Sequence, residues 1–427
     1  MKNIQGDIPP NILNNELFSI KRNKANPIHS LGNPHSAKFI PEIPRWAIEN
    51  YSKINDTILD PFVGSGTTLV EARLLGRNCL GIEHNPLGRL ISKVKSNAIS
   101  EEQLHRVRKK IEKEIERNMN EKVLIPEFKN RDFWFDFPAT VGIALIKFSM
   151  ESCDKNVKDF LKVVLSEVIQ SVSKVADGQI LPAARKKHQI HEEKSTEDVI
   201  KKFLKKLDDS IEKMIRFSEC VKSQNFSKII GNDAREIKIE KNVDLIVTSP
   251  PYINAHHYIW THKLRLLQLG LIDDKERLEL MKSEIGSEEA RLNNHEDIPE
   301  TGIHVLDKKI IEICNGVAYK ASGNQNRIRA VSTYKYFVDM KKHFEEAYNV
   351  LKPNGFYCFV IGDNNICKVF IPTAEYLIKI AEDVGFTKIL NFEILLKNKT
   401  LNLPRNVNWS GHIKTDKIVL FKKNPRK

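Results

Sequence analysis

Short apolar runs that end in turns alternate with helical periodicity over the first hundred residues. Residues 58–63 (ILDPFV) predict a buried strand that turns at Gly64-Ser65-Gly66. Leu69, Val70, Ala72 and Leu75 then recur at helical spacing until Gly76, and residues 78–83 predict the next strand, ending in the Glu83 carboxylate. This is one β-α-β unit, the repeat that builds an open parallel sheet with its ligand crevice at the strand ends. Residues 101–226 break the rhythm. Segments such as EEQLHRVRKKIEKEIERN and STEDVIKKFLKKLDDSIEKMIRF mix charged and apolar residues at helical spacing, as expected of a helical insertion.

Strand patterns return at 226–230, before Gly231-Asn232-Asp233, and at 243–247, which feeds Thr248-Ser249-Pro250-Pro251. Residues 271–331 read as a second, irregular polar stretch. After it come a helix over 337–351, a strand over 356–361, a helix over 372–384 and a closing strand pair whose last member is 417–421. Residues 1–28 are polar and proline-bearing and predict a partly ordered arm. The expected organisation is therefore an α/β domain in two parts, 1–100 and 227–427, interrupted by a helical insertion at 101–226.

Composition narrows the class of function. With 427 residues, 41% hydrophobic and 29% charged, the chain has ordinary globular composition, and its net charge of +13 favours a polyanionic partner. Six cysteines (Cys79, Cys153, Cys220, Cys314, Cys358, Cys367) form no CxxC pair, which argues against zinc and against a disulfide framework. No apolar leader opens the chain and no run of 18 apolar residues occurs, so a soluble cytoplasmic protein without membrane contact is expected.

The candidate chemistry sits at the strand ends. Gly64 and Gly66 permit close approach of a ligand to the backbone, and the helix that follows offers unpaired N–H groups. Leu69 stands where a dinucleotide fingerprint needs its third glycine, and no Lys follows Gly66 as a phosphate-binding loop requires. Glu83 can accept hydrogen bonds from ribose hydroxyls, and Asp233 from an adenine amino group. In Ser249-Pro250-Pro251-Tyr252 the prolines stiffen the turn and remove its donors. A carbonyl and the Ser249 hydroxyl can then accept both hydrogens of an exocyclic amine, aiming its lone pair at a sulfonium methyl, while Tyr252 offers a face on which a base can stack. His256-His257 follows this turn, but adjacent histidines diverge on regular structure and no partner completes a metal site.

These residues resemble the amino-methylating DNA methyltransferases, which use S-adenosylmethionine to modify cytosine N4 or adenine N6. The similarity covers residues 29–100 and 227–421. Asp60-Pro61-Phe62-Val63-Gly64-Ser65-Gly66-Thr67-Thr68 resembles the family's cofactor motif, Glu83 its ribose-binding acid, Asp233 its adenine-side acid and Thr248-Ser249-Pro250-Pro251-Tyr252 its catalytic motif. His35 to Pro41, with Lys38 and Phe39, resembles the segment covering the methionine end of the cofactor. Phe133-Trp134-Phe135 and the helix bearing LSEVIQSVS are similar to an insertion in a bacterial subgroup. The resemblance implies a Rossmann-like S-adenosylmethionine-dependent methyltransferase fold and a soluble enzyme without a metal. It further implies duplex DNA as partner, with a cognate restriction endonuclease acting separately.

Two departures bear on specificity. The cofactor motif precedes the catalytic motif, the reverse of the commonest SPPY enzymes, and Ser before Pro-Pro-Tyr leans toward cytosine N4 over adenine N6. DNA contact is expected from the inserts: Lys109, Lys110, Arg185, Lys186 and Lys187 form basic clusters. Arg327 and Arg329 lie in GNQNRIRAVS, whose side chains suit base edges within a target-recognition segment at 271–331. Trp134 and Trp260 are expected in the core or at an interface. The rivals are an RNA base methyltransferase, for which little chain precedes Asp60 to form a separate RNA-binding domain, and a catalytically silent nucleic-acid binder, which would not need the amine-binding turn.

Overall fold

The computed structural model describes residues 1–21, 23, 25–32, 39–175, 182, 192–222, 224–253, 258–287, 297–395 and 415–424. His35, Ser36, Ala37 and Lys38, the Arg185-Lys186-Lys187 cluster and His256-His257 lie outside the described residues.

Among the described residues eleven strands occur: β1 (Lys2–Gln5), β2 (Glu16–Lys21), β3 (Thr57–Asp60), β4 (Asn78–Ile82), β5 (Ser227–Gly231), β6 (Val243–Thr248), β7 (Leu351–Ile361), β8 (Asn364–Ile366), β9 (Val369–Ile371), β10 (Phe386–Leu395) and β11 (Thr415–Lys423). β8 and β9 pair only with each other. The other nine form one sheet in the order β1-β2-β10-β11-β7-β6-β3-β4-β5. Every pairing is parallel except the two made by β11. From β3 the chain builds outward through β4 and β5, then crosses back to lay β6 and β7 on the other side. The strand order therefore reverses between β3 and β6, which opens a crevice at their carboxyl ends.

Alternation along the strands sends side chains to two covered faces. Ile58, Leu245, Val247, Cys358 and Val360 share one core with Trp46 of α1 (Glu42–Tyr51) and Leu69 of α2 (Thr67–Leu74). Leu59, Ile246, Tyr357 and Phe359 face the opposite core. Next along the chain come α3 (Pro86–Lys95) and the insertion, formed by α4 (Glu101–Arg117), α5 (Arg131–Trp134), α6 (Phe137–Ser149), α7 (Lys155–Ile169) and α8 (Thr196–Ser218). A reciprocal Ser195/Asp198 capping box starts α8 and satisfies backbone donors at its amino end. The insertion is welded to the sheet domain: Leu104, Ile143, Leu161 and Phe203 share a core with Leu87 and Ile91 of α3.

Beyond β6 lie α9 (Tyr258–Thr261), α10 (Lys263–Leu269), α11 (Asp274–Ser283), α12 (His304–Asn315), α13 (Gln325–Val350) and α14 (Thr373–Val384). Phe337, Phe344 and Leu377 of the last two fill the core on the Leu59 face. The ammonium of Lys263 stands 3.6 Å from the Trp260 ring centroid and 4.4 Å from that of Trp134, so both tryptophans serve the junction between insertion and α10.

Three expectations need correction. The amino-terminal arm is not loose: β1 and β2 extend the sheet beyond β10, and Phe18 meets Phe392 edge-on at 5.8 Å. The strand expected over 58–63 stops at Asp60, because Pro61 has no N–H for the ladder. The irregular stretch at 271–331 holds α11, α12 and the first turns of α13. An Asp273/Glu276 capping box starts α11, and Leu306, Ile310 and Ile313 give α12 its buried stripe. Asn326 accepts from the Ala321 N–H at 2.7 Å and donates to the Ile313 and Tyr319 carbonyls, so it staples α12 to α13 and is not free to read a base. Arg327 and Arg329 lie in the opening turns of α13, and Lys109 and Lys110 are exposed on α4.

Candidate active site

The crevice is built from the ends of β3, β4, β5 and β6. The turn after β3 needs two residues in the left-handed region, and Gly64 (φ +53°) and Gly66 (φ +85°) supply them. Their local constraints differ. A Cβ on Gly64 would meet nothing within 4 Å, whereas one on Gly66 would stand 2.9 Å from the Ser92 Cα, so Gly66 lets α2 approach α3. Ser65, Thr67 and Thr68 are buried around the same turn.

Asp60 and Thr248 bind the two motifs together. The Thr248 hydroxyl donates to Asp60 Oδ1 at 2.5 Å, and the Phe62 N–H donates to the same oxygen at 3.0 Å. Asp60 is 2% exposed, and its removal from water pushes its carboxyl up to about 6. The glycine turn and the prolyl turn are thus held side by side at the reversal point of the sheet. Thr248→Val is expected to leave the Asp60 carboxyl short of a donor and to cost about 1–3 kcal/mol of stability, read by chemical denaturation.

Glu83 directly follows β4 and reaches back to the glycine turn: the Gly64 N–H donates to Oε2 at 2.6 Å and the Asn85 N–H to Oε1 at 2.8 Å. Gly88 makes room for it, since a Cβ there would lie 2.8 Å from the Glu83 Cγ. Burial pushes Glu83 up to about 7. Asp233, after β5, is gripped by Arg235 through Nε at 2.9 Å and Nη2 at 2.8 Å, and Arg235 also pairs with Asp339 at 3.1 Å. Burial raises the Asp233 carboxyl, but its bonds to Arg235 prevail and leave it below the usual carboxylate range.

At the catalytic turn Pro250 is buried and Ser249, Pro251 and Tyr252 are half-buried. The Tyr252 hydroxyl donates to Asp416 Oδ1 at 2.9 Å, which fixes the ring from the start of β11. Phe62 packs edge-on against His343 at 4.8 Å. His343 meets the Ala234 carbonyl through Nδ1 at 3.0 Å and the Tyr357 hydroxyl through Nε2 at 2.7 Å. Its burial lowers it to about 4, so it is a neutral strut between the ends of β5 and β7. Phe39 is half-buried at the edge of the core containing Trp46.

Sequence reasoning missed Asp416, His343 and Glu284. The first two carry no local motif: each is a polar residue at the edge of an apolar run, and its partner lies far away in the chain. Glu284 follows α11 and accepts the Tyr258 N–H at 3.2 Å, and burial pushes it up to about 8. Glu83 and Glu284 thus hold protons in the folded state that they lose near 4.5 when unfolded, so the stability they contribute declines as pH rises through about 7 and 8. His84 and His343, lowered below 6.5, and Lys147 and Lys263, pushed by burial down to about 8, act in the opposite sense and offset the decline only in part. The ligand-free protein is accordingly expected to melt at a lower temperature at pH 8 than at pH 6.5, as differential scanning fluorimetry would show.

Among the described residues no cluster of three or more His, Cys, Asp or Glu could hold a metal ion, and no helix is long and apolar enough to cross a membrane.

Parallel strands ending in a glycine turn, a strand-end acid and a Ser-Pro-Pro-Tyr turn define a methyltransferase of the DNA-modifying class, and the comparisons agree. The DNA methylase family model for N6 and N4 methyltransferases matches residues 5–88 and 243–427, and the chain belongs to that family. It is 25% identical to the Type II methyltransferase M.MvaI of Kocuria varians, over 91% of this chain and 90% of the relative. It is also 25% identical to the Type II methyltransferase M.BsoBI of Geobacillus stearothermophilus, over 96% and 88%. Among solved structures, a SAM-dependent methyltransferase from Methanosarcina mazei aligns over 89% of this chain and 97% of its own at 9% identity. Its TM-score is 0.31.

Proposed function

We propose that the chain methylates the exocyclic amine of a base in duplex DNA within a short recognition sequence, cytosine N4 before adenine N6. The observation that carries this reading is the Thr248–Asp60 bond, which couples the glycine turn to the amine-binding turn at the switch point of the sheet. S-adenosylmethionine supplies an electrophilic methyl group on a sulfonium. Glu83 accepts its ribose hydroxyls, Asp233 its adenine amine, and Gly64 to Thr68 surround the cofactor, with Lys38 and Phe39 covering the methionine end. Gly64 suits this role because its missing side chain leaves open space.

The target base leaves the helix because its amine is buried in the pair. Ser249 and a prolyl carbonyl accept the amine hydrogens, which directs the nitrogen lone pair toward the methyl group. Ser249 is half-buried at this turn, where its hydroxyl can meet the amine. Tyr252 stacks on the base. The amine proton leaves once the nitrogen is cationic. The surplus of positive charge serves phosphate contact. The relatives' designation as Type II methyltransferases supports a setting beside a separately acting cognate endonuclease.

Expression in a methylation-free bacterial host, followed by mapping of modified bases across its genome, tests the reading. N4-methylcytosine in one recurrent short sequence is the expected result. N6-methyladenine would keep the mechanism and overturn the base. An unmodified genome from soluble, cofactor-binding protein would overturn DNA as substrate.

A further inference from the structure

Residues 280–287 cross the ends of the strands that build the crevice. His84, next to Glu83, meets the Leu280 carbonyl through Nε2 at 2.9 Å. Arg235, which grips Asp233, donates to the Ser283 carbonyl at 3.1 Å. A Cβ on Gly286 would stand 3.4 Å from the Tyr336 ring and 3.5 Å from the Tyr252 carbonyl. Ser287 donates to the Met281 carbonyl at 2.7 Å and closes the segment on itself. One strap thus touches the sites after β4, β5 and β6.

Glu284 lies at the middle of this strap, beside Glu83 and two residues before Gly286, which approaches the Tyr252 carbonyl. Oε1 accepts the Tyr258 N–H, whereas Oε2 is sealed from solvent and has no hydrogen-bond partner among the described residues. Among the described residues, the groups that face it are unable to neutralise it. Glu83 is another acid, and Tyr258 (α9) is a buried phenol held far above neutrality. His84 is spent on the Leu280 carbonyl, and Arg235 on Asp233, Asp339 and the Ser283 carbonyl. A buried carboxyl with one unused oxygen and no cation beside it among the described residues is an arrangement that a cationic ligand would complete.

We propose that Glu284 distinguishes the cationic methyl donor from its neutral by-product. The inference rests on the assignment of Glu83 to the cofactor ribose and of Ser249–Tyr252 to the target amine. The reacting sulfur must then lie between them, along the strap that carries Glu284. With S-adenosylmethionine bound, the sulfonium favours the Glu284 carboxylate, so the carboxyl O–H breaks and its proton passes to solvent. After methyl transfer the sulfur is an uncharged thioether, the carboxylate takes a proton back, and the by-product is held less firmly. Burial keeps Glu284 near 8 in the free protein, which leaves it protonated at neutral pH and able to release that proton on binding. Glu83 meets the same ribose in both ligands and drops out of the difference.

Isothermal titration calorimetry of the full chain with S-adenosylmethionine and with S-adenosylhomocysteine, at pH 7.5 in buffers of different ionisation enthalpy, tests this. Greater proton release with the donor than with the by-product is expected of the wild type, a result that requires no variant. E284Q should abolish the difference in proton release between the two ligands and narrow the ratio of their affinities by roughly tenfold, chiefly by weakening the donor. Equal proton release for both ligands, or an E284Q variant that weakens both equally, would overturn the role of Glu284. Glu83→Ala separates the levels: if it leaves both affinities unchanged, the pocket itself is assigned wrongly, and the inference falls with it.

Discussion

Gly64→Leu is expected to abolish binding of S-adenosylmethionine while the protein still folds. The residue sits at φ +53°, so any L side chain there carries about 1–2 kcal/mol of backbone strain. That cost is small beside the stability of a domain with two covered sheet faces. The Cβ would point into open space, with nothing of the protein within 4 Å, and the rest of the leucine would occupy the volume assigned to the cofactor. A loss of affinity of about a hundredfold or more is expected by calorimetry, with a melting temperature lowered only modestly. Gly66→Ala should fail differently. Its Cβ would drive into the Ser92 backbone at 2.9 Å, so the expected defect is in the packing of α2 on α3 and in stability. Normal cofactor affinity in Gly64→Leu would show that the crevice is not the cofactor pocket.

Tyr252→Ala is expected to lower turnover by roughly ten- to a hundredfold and to change cofactor affinity less than twofold. Stacking of a base on an aromatic ring is worth about 1–3 kcal/mol, and the expected loss in kcat follows from it. The anchor on Asp416 adds a graded test, because it orients the ring without touching substrate. Tyr252→Phe keeps the stacking face and removes one hydrogen bond, worth about 1 kcal/mol, so a loss of about fivefold is expected. Asp416→Ala should match Tyr252→Phe and not Tyr252→Ala, and the pair should not be additive when combined, since they share one bond. A Tyr252→Ala variant that loses cofactor affinity in step with turnover would place the ring on the cofactor side of the crevice.

The parts of the site that were legible beforehand are those whose chemistry is local. A left-handed turn needs Gly64 and Gly66 within a few residues of a strand, and a stiff acceptor turn needs adjacent prolines after an apolar run. Both constraints act over a handful of positions and leave their mark there. Glu83 was legible for a related reason: strand period and length place the first polar residue after β4 at the crevice. The amino-terminal strands were not legible, because β2 is defined by its pairing with β10, a partner at the other end of the chain. The helices within 271–331 were obscured by the polar segments between them.

By itself the sequence determined the alternation of strands and helices, the two turns, the helical character of the insertion and the class of chemistry. Each follows from short-range periodicity or backbone sterics. Only the tertiary structure decided that Thr248 bonds Asp60, that Asp416 fixes Tyr252, and that the insertion shares its core with α3. It also decided that 280–287 is drawn across the crevice, with Glu284 enclosed beside Glu83. These contacts join residues distant in the chain. A buried polar atom must find a partner wherever the packed chain offers one, and residue spacing along the chain carries no record of where that is.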